Sequence, residues 1–465
     1  QIDKPDALEW TRFTQRAQHV RCLDWNVPFS ISLPALLTLS KHRPASHVLL
    51  PNLRQLVWHE PRPQYFQFWN LFLTPTLRDL QIQSISPEPK ALLALFQHAA
   101  EVCKEVKILH LGIDTGRPPK NADNFAWLCG GEVGDAFTIF LEGLKFLRDY
   151  SADASMSAGC VQALARLPQL EMLFLKVGRH DLKNLAQQLP MRNPDSAAEE
   201  ACFGSLRVLE LHVPVLDATT RAVIGALQSC TLEDFTLVPQ HPPDTATFRA
   251  HLEVISRASY STSLTAIELD FDSTRREKEI SLQTLDLGVA LRPLYALPQI
   301  RTMKISGPVV TLSERTLSDI AAAWPALNVL ALISTVVHPS ASAYCPSLAD
   351  LAPLACRCPK LSVLELHLSA IEVPTETKMT SLLGEGPSRC QLRYLAAYDA
   401  PIVNPARVAA CLSRLFPALK NVEYYGRALF PRNGREVYEK NWKRVQDYSR
   451  GVEPPVNPLM HPLNE

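Results

Sequence analysis

Residues that could do chemistry are scattered through the sequence and match no catalytic motif. The run Cys129-Gly-Gly-Glu-Val-Gly134 is rich in glycine, but it lacks the G-x-G-x-x-G spacing of a dinucleotide-binding turn and follows no strand of that type. The sequence also contains no G-x-x-x-x-G-K-S/T, no H-E-x-x-H and no G-x-S-x-G. We therefore predict that the chain is not an enzyme, with no catalytic residues and no cofactor.

Cysteine and histidine spacing gives no metal site. The eleven cysteines include no C-x-x-C pair, and the C-x-C at 356–358 has a spacing that zinc sites do not use. His59, His110, His212 and His367 share a place in a recurring strand pattern but belong to different repeats. We expect solvent-facing histidines, reduced thiols and no bound metal. Reduced thiols in turn indicate an intracellular protein, cytoplasmic or nuclear.

Composition and charge narrow the range of partners. The 465 residues are 46% hydrophobic and 20% charged, values typical of a globular chain with a large core. Lys plus Arg and Asp plus Glu stand at 47 each, so no overall field attracts nucleic acid or an anionic membrane. We predict no nucleic-acid partner and no membrane partner, and any electrostatic recognition must be local.

The strongest pattern in the sequence is the motif apolar-x-x-apolar-x-apolar. It recurs fourteen times, at a mean spacing of about 31 residues. The copies begin at Val20, Leu53, Leu77, Val106, Leu144, Leu170, Leu206, Leu232, Leu264, Ile300, Leu327, Leu361, Leu392 and Leu419. A proline stands two residues before seven of these starts. Proline lacks an N–H and disfavours helix in the preceding residue, so it ends one helix and admits the next strand.

Each repeat therefore contains a short strand and an amphipathic helix, which cannot bury both apolar faces alone. Stacked repeats would pair their strands in parallel through right-handed crossovers. This predicts an α/β fold, a right-handed leucine-rich-repeat solenoid or horseshoe of about 14 irregular repeats, with a concave parallel sheet and convex helices. We expect a helical cap or linker at residues 1–19, the solenoid at 20–426, and a cap helix with an extended tail at 427–465.

Charged residues suggest one contact surface on the predicted sheet. The leucines of the motif face the core, so residues around the second leucine face the concavity. Acids outnumber bases there by eight to three, and the densest group is Glu210, Asp234, Glu268 and Asp270 on three consecutive repeats. We predict that this group receives a basic segment of a protein partner. Ordinary solvated strand charges are the alternative explanation.

Aromatic residues suggest a second contact surface. Phe146, Tyr150 and Phe174 fall on the fifth and sixth repeats, and aromatic side chains often anchor protein interfaces. We predict that these three residues contact a partner. Packing of the same rings against long neighbouring loops is the alternative.

Three segments resemble the leucine-rich region of F-box proteins that are numerous in mushroom-forming fungi. They are Leu8-Glu-Trp-Thr-Arg-Phe-Thr-Gln-Arg-Ala-Gln-His-Val-Arg-Cys-Leu-Asp-Trp25, Leu49-Leu-Pro-Asn-Leu-Arg-Gln-Leu-Val-Trp58 and Phe72-Leu-Thr-Pro-Thr-Leu-Arg-Asp-Leu80. The resemblance implies that the solenoid selects a substrate. It also implies that a preceding F-box binds a Skp-type adaptor and connects the protein to an SCF-type ubiquitin ligase.

The start of the sequence departs from that family pattern. No L-P-x-E-apolar-L segment of an F-box precedes Leu8. We expect the missing F-box to lie upstream of Gln1, and we expect adaptor binding only if it exists. The alternative is an intracellular leucine-rich-repeat scaffold or regulator with no link to ubiquitination.

Overall fold

A computed structural model describes most of the chain. The described residues are 7–26, 32–43, 48–60, 62–85, 88–114, 131–153, 155–188, 202–271, 284–307, 309–334, 345–426 and 432–450. The chain forms two compact units, one made of Gln1–Pro214 with Ala218–Leu232 and the other of Val215–Asp217 with Glu233–Glu465. The expected extended tail at 451–465 lies outside the described residues.

The described part of the first unit alternates strands and helices, and its seven strands pair in parallel in chain order. The strands are β1 (Cys22–Asn26), β2 (Gln55–Glu60), β3 (Asp79–Ile85), β4 (Ile108–Asp114), β5 (Asp149–Ala152), β6 (Met172–Lys176) and β7 (Val208–Val213). The helices are α1 (Ala7–Ala17), α2 (Leu33–His42), α3 (Pro63–Phe66), α4 (Pro89–Val102), α5 (Gly131–Glu142), α6 (Ala158–Ala165), α7 (Arg179–Gln188) and α8 (Ala218–Ala226).

The second unit repeats this alternation in its described residues. Its strands are β8 (Asp234–Pro239), β9 (Ala266–Asp270), β10 (Thr284–Asp286), β11 (Thr302–Ser306), β12 (Val309–Thr311), β13 (Val329–Ile333), β14 (Val363–His367), β15 (Tyr394–Tyr398) and β16 (Asn421–Tyr425). Its helices are α9 (Thr245–Arg257), α10 (Leu287–Ala290), α11 (Thr316–Ala323), α12 (Ala352–Arg357), α13 (Glu376–Leu383), α14 (Pro405–Leu415) and α15 (Arg432–Ser449). Strands β8, β9, β11 and β13–β16 pair in parallel in that order, while β10 pairs with β12.

The strand register confirms the predicted repeat. Equivalent apolar residues of the motif lie directly opposite each other, as Leu173 does with Leu209 and Leu330 with Leu364. All four are buried, because strand residues alternate between the two faces of the sheet. Stacking therefore aligns the leucines of successive repeats into one row in each unit, and that row forms the core.

Proline-containing turns connect the helices to the strands that follow them. At Trp324-Pro325-Ala326-Leu327 the N–H of Leu327 donates to the carbonyl of Trp324 at 3.1 Å, which closes a β-turn with proline in its second position. The same hydrogen bond occurs around Pro51, Pro75, Pro298, Pro359 and Pro417. Trp324 is also the C-cap of α11. Proline thus ends the helix and fixes the turn, as its chemistry predicts.

The last helix packs on the edge strand β16. Trp442 and Val445 of α15 are buried, while Val437 is exposed. The side-chain oxygen of Gln446 accepts a hydrogen bond from the N–H of Val422, and its amide donates to the carbonyl of Lys420 at 3.1 Å. One glutamine side chain therefore satisfies backbone groups that an edge strand would otherwise leave open.

Candidate protein-binding face

Alternate residues of the strands define an open face of the sheet in each unit. Counted from the first apolar residue of the motif, the fourth and sixth residues are buried, and the third, fifth and seventh are mostly half-buried or exposed. In β7, for example, Leu209 and Leu211 are buried, while Glu210 and His212 are half-buried on the other side. The surface formed by the third, fifth and seventh residues is called the open face below. Equivalent side chains on neighbouring strands are spaced about 4.8 Å apart.

The fifth repeat begins three residues later than the sequence pattern indicated. Strand pairing places Asp149 beside Ile108 and Tyr150 beside Leu109, so the motif starts at Leu147 and not at Leu144. Tyr150 therefore occupies the place of the second leucine and is fully buried. Its hydroxyl lies 3.2 Å from the sulfur of Met156, to which it donates.

The predicted aromatic surface is wrong for Tyr150, because a partner cannot reach a side chain in the core. Phe146 is 47% exposed, but it lies in the turn before β5 and outside the open face. Phe174 lies on the open face of β6, half-buried, with its ring centre 4.5 Å from that of His212. The three aromatic residues therefore do not form one surface.

The corrected register strengthens the acidic character of the open face. Asp149 and Asp153 move onto it, and Arg148 moves off it. Among the described residues at the third, fifth and seventh places of the motifs, the first unit has five acids and one base, Lys176. The second unit has five acids and one base, Lys304. An acidic face favours partners with basic segments and repels polyanions such as nucleic acid.

Glu210 makes its contacts within the first unit. Its carboxylate lies 2.6 Å from Nε2 of His212, and the same imidazole packs on Phe174. The three side chains form a compact group on β6 and β7. A partner that contacts Glu210 would therefore meet an imidazole and an aromatic ring at the same place.

The other three predicted acids lie in the second unit, on adjacent strands. Asp234 begins β8 and is half-buried, while Glu268 and Asp270 lie on β9. Glu268 pairs with Lys304 Nζ at 3.0 Å, and Asp270 accepts a hydrogen bond from Ser306 Oγ at 2.6 Å. The lysine on β11 therefore offsets part of the negative charge that was expected to attract a partner, while the serine is a neutral hydrogen-bond donor.

A cluster that the sequence reasoning missed lies on β14, β15 and β16. Tyr394 and Tyr425 both donate to the Glu423 carboxylate, Tyr394 at 2.9 Å, and Tyr398 donates to Glu365 at 3.2 Å. The Tyr398 and Tyr425 rings stack with centres 5.0 Å apart and planes 19° apart. These five side chains are called the tyrosine–glutamate cluster. The signal was present in the sequence, because all five fall at the third, fifth or seventh residue of their motifs.

The cluster phenols are hydrogen-bond donors at neutral pH. Burial raises the pKa of Tyr394, and the hydrogen bond to Glu423 raises the pKa of Tyr425. Both hydroxyls therefore keep their protons, which point at the glutamate. Glu423 is exposed, so its carboxylate has lone pairs that can accept from a further donor.

The histidines and cysteines form no reactive centre in the part of the chain that the structure describes. His110 lies 3.4 Å from Asp149, and the hydrogen bond to that carboxylate raises the pKa of the imidazole. Burial raises the pKa of Cys103 and Cys411 to about 12, so both remain thiols and not nucleophilic thiolates. Among the described residues no three His, Cys, Asp or Glu side chains are grouped to hold a metal.

The first unit also has a surface cavity of about 550 Å³ near the turns that precede β6 and β7. Its charged lining residues are Glu142, Lys145 and Arg166, and all three are exposed. Exposed charges are screened by water. The cavity is therefore an open depression in the surface whose charged side chains contact solvent.

Comparisons with known proteins assign no family to the chain. No protein-family model matches the chain, and no curated protein matches it. Among solved structures it is similar to the leucine-rich-repeat-containing protein LegL7 from Legionella pneumophila, with 13% identity, 94% of this chain and 99% of that chain covered, and a TM-score of 0.33. The leucines lie in register on parallel strands, and helices connect these strands. The chain is therefore a leucine-rich-repeat solenoid of the α/β class. Across the described residues, the helices lack the length and apolarity needed to cross a membrane.

Proposed function

We propose that the chain is a non-catalytic protein-binding module that contacts a protein partner through the open face. One observation carries the proposal, namely the ordered array of charged and aromatic side chains on the parallel strands of each unit. Small-molecule sites are usually enclosed and apolar, whereas this surface is broad and polar. The acids predicted from the sequence, Glu210, Asp234, Glu268 and Asp270, are part of it.

Charge reversal on the open face tests the proposal. The variant Glu210→Lys, Asp234→Lys, Glu268→Lys is compared with a matched control, Glu101→Lys, Glu132→Lys, Glu439→Lys, which alters three exposed glutamates on helices α4, α5 and α15. Proteins that co-purify with the full-length chain from cells are quantified for each variant. We expect the open-face variant to lose its partners at least about tenfold while the control keeps them, since like charges at an interface repel.

Equal retention by both variants would contradict a role for the open face. Circular dichroism of each purified variant separates loss of binding from loss of folding. Partners lost by the helix control alone would instead place the interface on the helices.

A finer form of the proposal concerns ubiquitination. The segments 8–25, 49–58 and 72–80 resemble the leucine-rich region of fungal F-box proteins, which supports a role as the substrate-recognition part of an SCF-type ubiquitin ligase. The test is a pull-down of a Skp-type adaptor with the full-length gene product. Recovery of the adaptor supports the ligase role.

The same pull-down separates the two candidate functions. Absence of the adaptor, together with partners that depend on the open face, favours a leucine-rich-repeat scaffold or regulator with no link to ubiquitination. Protein binding through the open face is common to both candidates and does not depend on the adaptor.

A further inference from the structure

The tyrosine–glutamate cluster combines aromatic rings with carboxylates on three neighbouring strands. Strand pairing places Glu365, Ala396 and Glu423 in one row and His367, Tyr398 and Tyr425 in the next. The two glutamates are thus separated by a small alanine, about 9.6 Å apart at the backbone, which is two strand spacings. Tyrosine rings border this row, and Tyr425 is 42% exposed, so a partner can reach the cluster.

The charge of the cluster is not offset within the described part of the chain. There, the hydrogen-bond partners of Glu365 and Glu423 are tyrosine hydroxyls, and no lysine or arginine lies within ion-pair distance of either carboxylate. Glu268 differs, because Lys304 neutralises it at 3.0 Å. Two carboxylates, one exposed at Glu423 and one half-buried at Glu365, therefore have neutral phenols as their direct partners.

The hydrogen-bonding chemistry of the cluster selects the type of ligand. All three phenol protons are directed at the glutamates, so the cluster offers a partner ring faces and carboxylate lone pairs, both of which are electron-rich. The complement is a cation that only donates hydrogen bonds. A guanidinium has five donors and no acceptor, is planar, and stacks on aromatic rings.

We propose that the tyrosine–glutamate cluster binds an arginine side chain in a basic segment of the protein partner. The guanidinium stacks on the exposed Tyr425 ring and donates to Glu423, and Glu365 binds the same or a neighbouring basic residue. Arginine fits better than lysine, whose compact ammonium cannot stack as a plane or donate to a carboxylate as a fork. This inference rests on the proposed protein-binding function and adds the chemistry of the partner.

Peptide binding to the full chain tests the proposal. The probe is a fluorescein-labelled nonapeptide with three arginines in a glycine–serine background, and its anisotropy is measured against protein concentration. Matched peptides carry lysine, trimethyl-lysine or citrulline in place of arginine. We expect saturable binding of the arginine peptide, weaker binding of the lysine and trimethyl-lysine peptides, and loss of binding with citrulline, which has the shape of arginine without its charge.

Isosteric variants assign the binding to the cluster. Glu365→Gln with Glu423→Gln removes the charge but keeps oxygens that can accept from the phenols, and we expect it to weaken arginine-peptide binding by about tenfold or more. Tyr425→Leu removes the ring face and should weaken binding by about threefold or more. The control Glu372→Gln with Glu385→Gln removes two exposed carboxylates elsewhere in the second unit and should leave binding unchanged.

Several results would overturn the proposal. They are an arginine peptide that does not saturate, equal binding of the lysine peptide, or binding that the Glu365→Gln, Glu423→Gln variant leaves intact. Failure of this inference is distinguishable from failure of the proposed function. If the open-face charge reversal abolishes partner capture but the arginine peptide does not bind, only the arginine assignment fails.

Discussion

Gln446 should control the stability of the edge strand β16. Its side chain accepts from the N–H of Val422 and donates to the carbonyl of Lys420 at 3.1 Å. Gln446 is 9% exposed and Val422 is 5% exposed, so water cannot easily replace the glutamine at the N–H. The informative perturbation is Gln446→Met, which keeps the length and approximate volume of the side chain but removes both hydrogen bonds.

The size of the effect follows from which backbone group loses its partner. A buried N–H left without an acceptor costs about 1–3 kcal/mol. The carbonyl of Lys420 adds less, because Lys420 is exposed and water can bind there. We therefore expect local opening of β16 to become easier by about 1–3 kcal/mol, which corresponds to roughly a 5- to 150-fold change in the opening equilibrium.

Hydrogen exchange measures this opening directly, since amides in a strand exchange when it opens locally. We expect the Val422 amide to exchange roughly 5- to 150-fold faster in Gln446→Met, with the Leu364 amide of β14 unchanged. The control Lys440→Met introduces the same side chain at an exposed position of the same helix and should leave Val422 protected. Unchanged exchange at Val422 in Gln446→Met would refute the capping argument.

Two further predictions test the fifth repeat and its neighbour. Tyr150→Ala should lower the free energy of unfolding by about 3–5 kcal/mol because the ring is fully buried. Phe146→Ala should change the free energy of unfolding by less than about 0.5 kcal/mol. Urea unfolding measures both changes. His110→Gln should lower the free energy of unfolding by up to about 1 kcal/mol at pH 5.5, since the His110–Asp149 pair is partly exposed. The same substitution should have little effect at pH 8.5. The hydrogen bond to Asp149 raises the folded-state pKa of His110, so its stabilisation is complete below the unfolded pKa and disappears as the pH rises through the folded value.

Each of these predictions has a contradicting result. Similar losses of unfolding free energy in Tyr150→Ala and Phe146→Ala would favour the register that starts at Leu144. A destabilisation in His110→Gln that is the same at both pH values would mean that the imidazole acts through packing, and not through its charge beside Asp149.

The leucine spacing was sufficient to predict the repeats but not the register of every one. Residues 144–149 and 147–152 both fit the motif approximately, because apolar residues stand at Leu144, Leu147, Tyr150 and Ala152. Repeat spacing varies in this chain, so it does not separate the two choices. Pairing of Asp149 with Ile108 on β4 decided between them, and this contact joins residues that are distant in sequence.

Outside the fifth repeat, the sequence by itself determined which strand residues are buried and which face outward, because alternation along a strand and proline before a strand are local properties of the chain. Only the tertiary structure decided which outward charges are neutralised. Several partners of the open-face acids come from a neighbouring repeat, as Lys304 lies 36 residues from Glu268 and Tyr394 lies 29 residues from Glu423. A pairing at that separation depends on how repeats stack and on which rotamers fit, and this is why Glu268 has a lysine partner while Glu365 and Glu423 have phenol partners.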